Sequence, residues 1–186
     1  MFRKMIFAFM LICVIYSSLF AAEPYQGLSG EINSGILFTI GGNKSNSNSE
    51  PYFNFLLGYS FSKSSMVGLS LATSMVSNNA PEKKTEANYN INYDNYTLLF
   101  SNLTYQYKIE VGKDLFIPVK VFGGGAFASP SPNNKGSFLP DFGMAAGIGY
   151  DSYRKGLQLG IEIAFSYILN INAKAAMVYP TIKYVF

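Results

Sequence analysis

The chain contains no histidine and no tryptophan, a single cysteine, and few charged residues for its length. Without histidine, neither a Ser/His nucleophile pair nor His/Asp activation of water can be built. A His/Cys metal cluster is excluded on the same ground. The one cysteine, Cys13, lies inside an apolar N-terminal run, so no disulfide framework is available. The formal net charge is +3, and it falls close to neutral once Arg3 and Lys4 are set aside. No basic patch points to nucleic acid. Beyond the N-terminal run, no apolar stretch is long enough for a membrane-spanning helix. A chain of this kind can occupy a membrane only as a closed barrel, because lipid cannot satisfy an open sheet edge.

The N-terminal run itself reads as a targeting segment. Arg3 and Lys4 form a basic start, Met5 to Phe20 carry no charge, and Ala21 and Ala22 precede Glu23. This is the pattern of a secretory signal peptide over residues 1–22, leaving 23–186 as a single mature domain. Ile12 rather than a small residue precedes Cys13, which argues against a lipoprotein anchor.

The rest of the chain alternates. Over 157–169, Leu157, Leu159, Ile161, Ile163, Phe165, Tyr167 and Leu169 share one parity, and Gln158, Gly160, Glu162, Ala164 and Ser166 share the other. Period two over this length is a strand able to cross a bilayer obliquely. Around 141–150, Phe142, Met144, Ala146, Ile148 and Tyr150 alternate with Asp141, Gly143, Ala145, Gly147 and Gly149. Glycine on a free surface strand costs stability without a packing gain, whereas glycine facing a crowded lumen makes room for neighbours. The pattern predicts eight strands at roughly 26–40, 52–62, 65–76, 96–111, 115–128, 138–151, 156–169 and 174–186, the spacing typical of small barrels. Short connections carrying Lys63, Lys113, Arg154 and Lys155 alternate with longer polar ones rich in Asn, Ser and Pro. That rhythm is the short-turn, long-loop asymmetry of outer-membrane barrels. Both termini then fall on the short-turn side.

Aromatic residues gather near the strand ends. Tyr59, Phe61, Tyr105, Tyr107, Tyr150, Tyr184 and Phe186 mark one interface, and Phe38, Phe127, Phe138 and Tyr167 the other. Pro118, Pro140 and Pro180 each remove a ladder donor, so bulges or distorted pairing are expected there.

With Phe186 facing outward, parity places Glu31, Lys108, Lys120, Asp141, Glu162 and Lys183 in the lumen. An eight-stranded barrel is just wide enough for side chains, so these groups should form a paired plug rather than a channel. Glu162 is expected to pair with Lys120 or Lys183, with Glu31 in reach, because an unpaired charge there is costly. Asp141 and Glu162 lie on neighbouring strands and could instead form a carboxylate pair, but the nearby lysines favour a structural network. Toward the long-loop end, Gly124, Ala126, Ala128, Gly143, Ala145, Ala164, Ser166 and Ala175 face inward and are all small. They suggest a vestibule, unless Leu37, Leu98 and Phe100 fill it.

The C-terminal Tyr184-Val-Phe186 resembles the assembly signal of bacterial outer-membrane barrels. The mature length as a whole resembles the small OmpA/OmpX-type outer-membrane β-barrel domain family. The resemblance implies an all-β, eight-stranded antiparallel up-and-down transmembrane barrel in the cell outer membrane, with its N- and C-termini in the periplasm. It implies outer-membrane lipid, including lipopolysaccharide-type lipid, as surroundings, and the insertion machinery as a partner in biogenesis. It implies a non-enzymatic structural or surface role, without a cofactor, in membrane integrity, adhesion or contact of the loops with an extracellular ligand. The enzymes among such barrels act through a histidine, which this chain lacks. The alternative is a narrow pore or small-molecule transporter using the vestibule. A soluble lipocalin-like barrel would instead carry its large apolar residues inside.

Overall fold

The computed structural model describes residues 26–41, 48–76, 96–129, 138–169 and 173–186. The expected signal segment and most of the longer connections lie outside the described residues. The eight strands are β1 (Gly27–Gly41), β2 (Asn48–Ser60), β3 (Ser65–Val76), β4 (Tyr96–Glu110), β5 (Leu115–Ser129), β6 (Phe138–Asp151), β7 (Leu157–Ile168) and β8 (Ala173–Val185). Each pairs antiparallel with its sequence neighbours, and β1 also pairs with β8, so the sheet closes into a barrel. Closure leaves no edge strand with unpaired backbone groups.

Strand limits agree with the periodicity to within about two residues, apart from the start of β2. Asn48 to Glu50 continue the ladder, opposite Thr39 to Leu37. Their polar sequence had the look of a loop. Glu50 turns inward and is buried, so this turn of polar chain is strand by pairing rather than by apolar content.

The short connections are 61–64, 111–114 and 152–156, all at the end of the barrel where β1 begins and β8 ends. In the first, the Ser62 hydroxyl accepts the Ser64 and Ser65 amides. In the third, Gly156 takes φ +82°, a left-handed conformation that side chains rarely adopt.

Pro118 and Pro180 interrupt the pairing on one side, as expected of distorted pairing, but introduce no bulge. Pro118 pairs with Lys108 on the β4 side, and the β5–β6 ladder resumes at Val119↔Ala146 in the register of Phe116↔Gly149. Pro180 pairs with Ile161, while the β1–β8 ladder passes from Asn33↔Thr181 to Ile36↔Val178 without a shift. Pro140 opposes Gly125 and accepts the Leu169 amide. Each missing donor faces a single neighbour, so the cost is local.

Polarity is inverted relative to a protein that faces water. Outward residues are large and apolar, with Ile148 68%, Leu69 64% and Ile161 62% exposed. Inward positions include Glu31, Lys120 and Glu162, each at most 3% exposed. A largely apolar exterior of this size suits lipid rather than water. The soluble lipocalin-like alternative does not fit it.

Candidate functional site

The lumen is the one place where chemistry-bearing side chains converge among the described residues. It is layered along the barrel axis. At the short-turn end, Lys108 Nζ lies 2.8 Å from Asp151 Oδ2 and 4.7 Å from the centre of the Phe116 ring. Gln158 Nε2 donates to the other Asp151 oxygen at 2.7 Å. One layer up, Lys183 Nζ donates to Gln106 Oε1 at 3.4 Å.

The middle layer is an ion triad. Lys120 reaches from β5 across the lumen and lies 2.5 Å from Glu31 Oε1 on β1 and 2.8 Å from Glu162 Oε2 on β7. Asn33 donates to Glu31 Oε1 at 2.9 Å, and Tyr179 Oη to Glu162 Oε2 at 3.4 Å. Opposite Glu162 stands Gly147, where a Cβ would lie only 2.8 Å from Glu162 Cγ. That glycine is what lets the glutamate lean into the lumen. In a low-dielectric interior, charges taken out of water must be paired and hydrogen-bonded; this layer pairs all three charges but leaves Glu31 Oε2 without a hydrogen-bond partner.

Nearer the long-loop end, Asn102 Nδ2 donates to Asp141 Oδ2 at 3.0 Å. The contact reaches over Gly124, which pairs with both residues. Around and beyond it the lumen is mostly apolar, with Glu50 and Ser74 also buried near the long-loop end. Leu37, Leu98, Phe100, Leu139, Ile168 and Met177 pack with Tyr52 and the small residues Ala126, Ala128, Ala145 and Ala164. Phe122 joins this cluster, and its ring occupies the space above Gly143.

The geometry chooses between the pairings read from sequence. Glu162 pairs with Lys120 and not with Lys183, and Glu31 is a full member of the triad. Among the described residues Lys183 makes no ion pair within the usual 4 Å. Lys108 belongs to a separate pair with Asp151, a residue whose place at a strand end disguised its inward direction. Asp141 and Glu162 do not form a carboxylate pair. Asp141 opposes Ile168 while Glu162 opposes Gly147, which separates them by roughly 20 Å along the strands.

The vestibule does not exist in the described barrel. The small inward residues are matched by large ones, which parity places opposite them. Leu139 and Ile168 were the missed members, and Phe122 was the missed plug above Gly143. Among the described residues a largely apolar packed layer lies next to an ion-paired layer, and the small residues expected to line a vestibule are covered. At the short-turn mouth a cleft of about 10 Å³ is lined by Ser60, Gln106 and Lys183, room for about a single water. No group of three or more Asp, Glu, Cys or His residues is arranged to hold a metal among the described residues.

No protein-family model matches the chain, and no curated protein matches it by sequence. Solved structures do. Neisserial surface protein A matches with a TM-score of 0.61 at 10% identity, over 86% of this chain and 97% of that one. Ail, the attachment invasion locus protein of Yersinia pestis, matches with a TM-score of 0.49 at 12% identity, over 86% and 97%. A de novo designed transmembrane β-barrel matches with a TM-score of 0.45 at 11% identity, over 87% and 97%. With its closed ladder, its apolar exterior and its likeness to the neisserial barrel, this chain has the fold of the small eight-stranded outer-membrane β-barrels.

Proposed function

We propose that the protein is a non-enzymatic integral barrel of the cell outer membrane with a structural or surface-interaction role. The observation that carries this reading is the inverted polarity of a closed barrel: an apolar exterior around a lumen sealed by the Lys120 triad and the Leu37–Leu139 cluster. Such a barrel gains stability only in lipid, and its described lumen is filled by paired and packed side chains, which supports a structural role for the interior. What remains to act is the surface it presents. A fold alone does not fix a role, and the neisserial match supports the architecture rather than a ligand.

In this reading residues 1–22 are removed on export. The chain ends and the short turns lie in the periplasm, and the longer connections face outward, where they meet an extracellular ligand. Lipid of the outer membrane, lipopolysaccharide-type lipid included, surrounds the exterior. Tyr184 and Phe186 act as the signal read by the insertion machinery.

Fractionation with gel electrophoresis tests the reading. The protein should sediment with the outer membrane and migrate differently before and after boiling. Recovery in the soluble periplasm, with no change on heating, would overturn it. In planar bilayers the purified barrel should show no steady conductance. Reproducible channels that vanish on changing Lys120 or Glu162 would restore the pore alternative.

A further inference from the structure

One sector of the exterior differs from the rest. Along β5, β6 and β7, a groove of about 630 Å³ runs toward the short-turn end. Ala146 lies in it between Val119 and Ile163, so the wall is low there. Leu115, Ile148, Tyr150, Leu159 and Ile161 line the rest. The groove opens beneath two short turns. One carries Lys113, and the other carries Tyr153, Arg154 and Lys155, all exposed.

The charge around this rim is not evenly spent. At the neighbouring β2–β3 turn, Lys63 is held by Glu110 at 2.7 Å. Asp151, at the end of β6, is turned into the lumen by Lys108 and Gln158. Among the described residues Lys113, Arg154 and Lys155 make no ion pair, and Asp114 is the one acid in their two turns. The free positive charge of the rim therefore stands over the groove. Tyr153 is 91% exposed, and a tyrosine at that level suits the headgroup zone.

We propose that this sector is a binding site for an anionic glycerophospholipid of the leaflet at the short-turn end. One acyl chain lies along Ala146 and Ile148, and the phosphate meets Lys113, Arg154 and Lys155. The inference rests on the membrane reading above, and adds a lipid class and a place. Neither half is sufficient alone. The groove accepts any acyl chain, and the turns attract any anion; together they select a lipid with a negative headgroup.

The test uses the full mature barrel in nanodiscs of phosphatidylethanolamine doped with phosphatidylglycerol, released gently and weighed by native mass spectrometry. The wild type should retain phosphatidylglycerol in preference to phosphatidylethanolamine. Replacing Lys113, Arg154 and Lys155 by Ala should weaken the preference about fivefold per cation removed, the factor expected of a basic residue near an anionic surface. Ala146→Phe should displace the retained lipid by filling the groove, while Lys63→Ala should leave it in place. A heat-modifiable barrel without the preference overturns this site and leaves the membrane reading standing. So does a preference that survives Ala146→Phe, since the headgroup alone would then be bound. A chain that does not enter nanodiscs at all overturns both.

Discussion

Tyr52 on β2 and Tyr179 on β8 stack with ring centroids 5.7 Å apart, although a whole strand separates them. They meet because the residue between them on β1 is Gly35, which opposes Tyr52 in the ladder. A Cβ at Gly35 would lie 2.6 Å from Tyr179 Cβ and closer still to the Val178 carbonyl. The stack sits beside the ion triad, since Tyr179 Oη also donates to Glu162.

Gly35→Ala should therefore destabilise the barrel by about 1–3 kcal/mol, as overpacking against backbone does. The midpoint of urea unfolding in lipid vesicles reads this directly. An unchanged midpoint would mean that β1 and β8 can move apart at this level, contrary to the stacked arrangement.

The triad makes a sharper prediction. Lys120→Met leaves Glu31 and Glu162 facing each other without their bridging cation, and breaking a buried ionic group in this way costs about 3–5 kcal/mol. Converting both glutamates to Gln in the Lys120→Met background should recover most of that loss. The three positions act as one unit, so their effects should not add. Additive losses in equilibrium unfolding would show that Lys120 is not the shared partner.

Much of this was legible in the sequence, and the reason is physical. Period two is fixed by the backbone, so the outward direction of Phe186 sets the direction of its strand neighbours, and the same alternation recurs around the barrel. That placed Glu31, Lys120 and Glu162 in the lumen. Parity does not give height along the axis, which depends on register between strands. Hence Lys183 and Lys120 looked equivalent for Glu162, and Asp141 looked close to it. Small residues were equally misleading. Gly143 reads as space when taken alone, but Phe122 sits directly opposite it in the β5–β6 ladder and its ring fills that space. Asp151 escaped notice because an acid at a strand end reads as part of a turn, whereas here it closes a layer with Lys108.

The two faces of the wall should respond differently to truncation. Leu139 is wholly buried in the lumen cluster, and Leu69 is 64% exposed on the exterior. Leu139→Ala should cost about 2–5 kcal/mol, because a cavity is added to the lost transfer energy. Leu69→Ala should lose the transfer part alone, since lipid chains close over the gap. Unfolding free energies of the two variants in the same vesicles compare these terms. A larger loss for Leu69 would mean that the faces are assigned the wrong way round.

The last residue separates stability from assembly. The Phe186 amide donates to the Leu28 carbonyl at 2.8 Å, a backbone contact that any side chain preserves. Its ring points outward and meets Tyr184 edge to face at 5.0 Å. Phe186→Ala keeps the ladder and removes one lipid-facing ring, so the purified variant should refold in detergent with a midpoint close to that of the wild type. In cells the same variant should accumulate much less in the outer membrane, because the proposed assembly signal has lost its terminal aromatic. The fraction of folded, heat-modifiable protein in the outer membrane is the quantity to compare with the refolding midpoint. Equal losses in both settings would reduce Phe186 to an ordinary stabilising contact. Normal accumulation in cells would show that the insertion machinery does not read this residue.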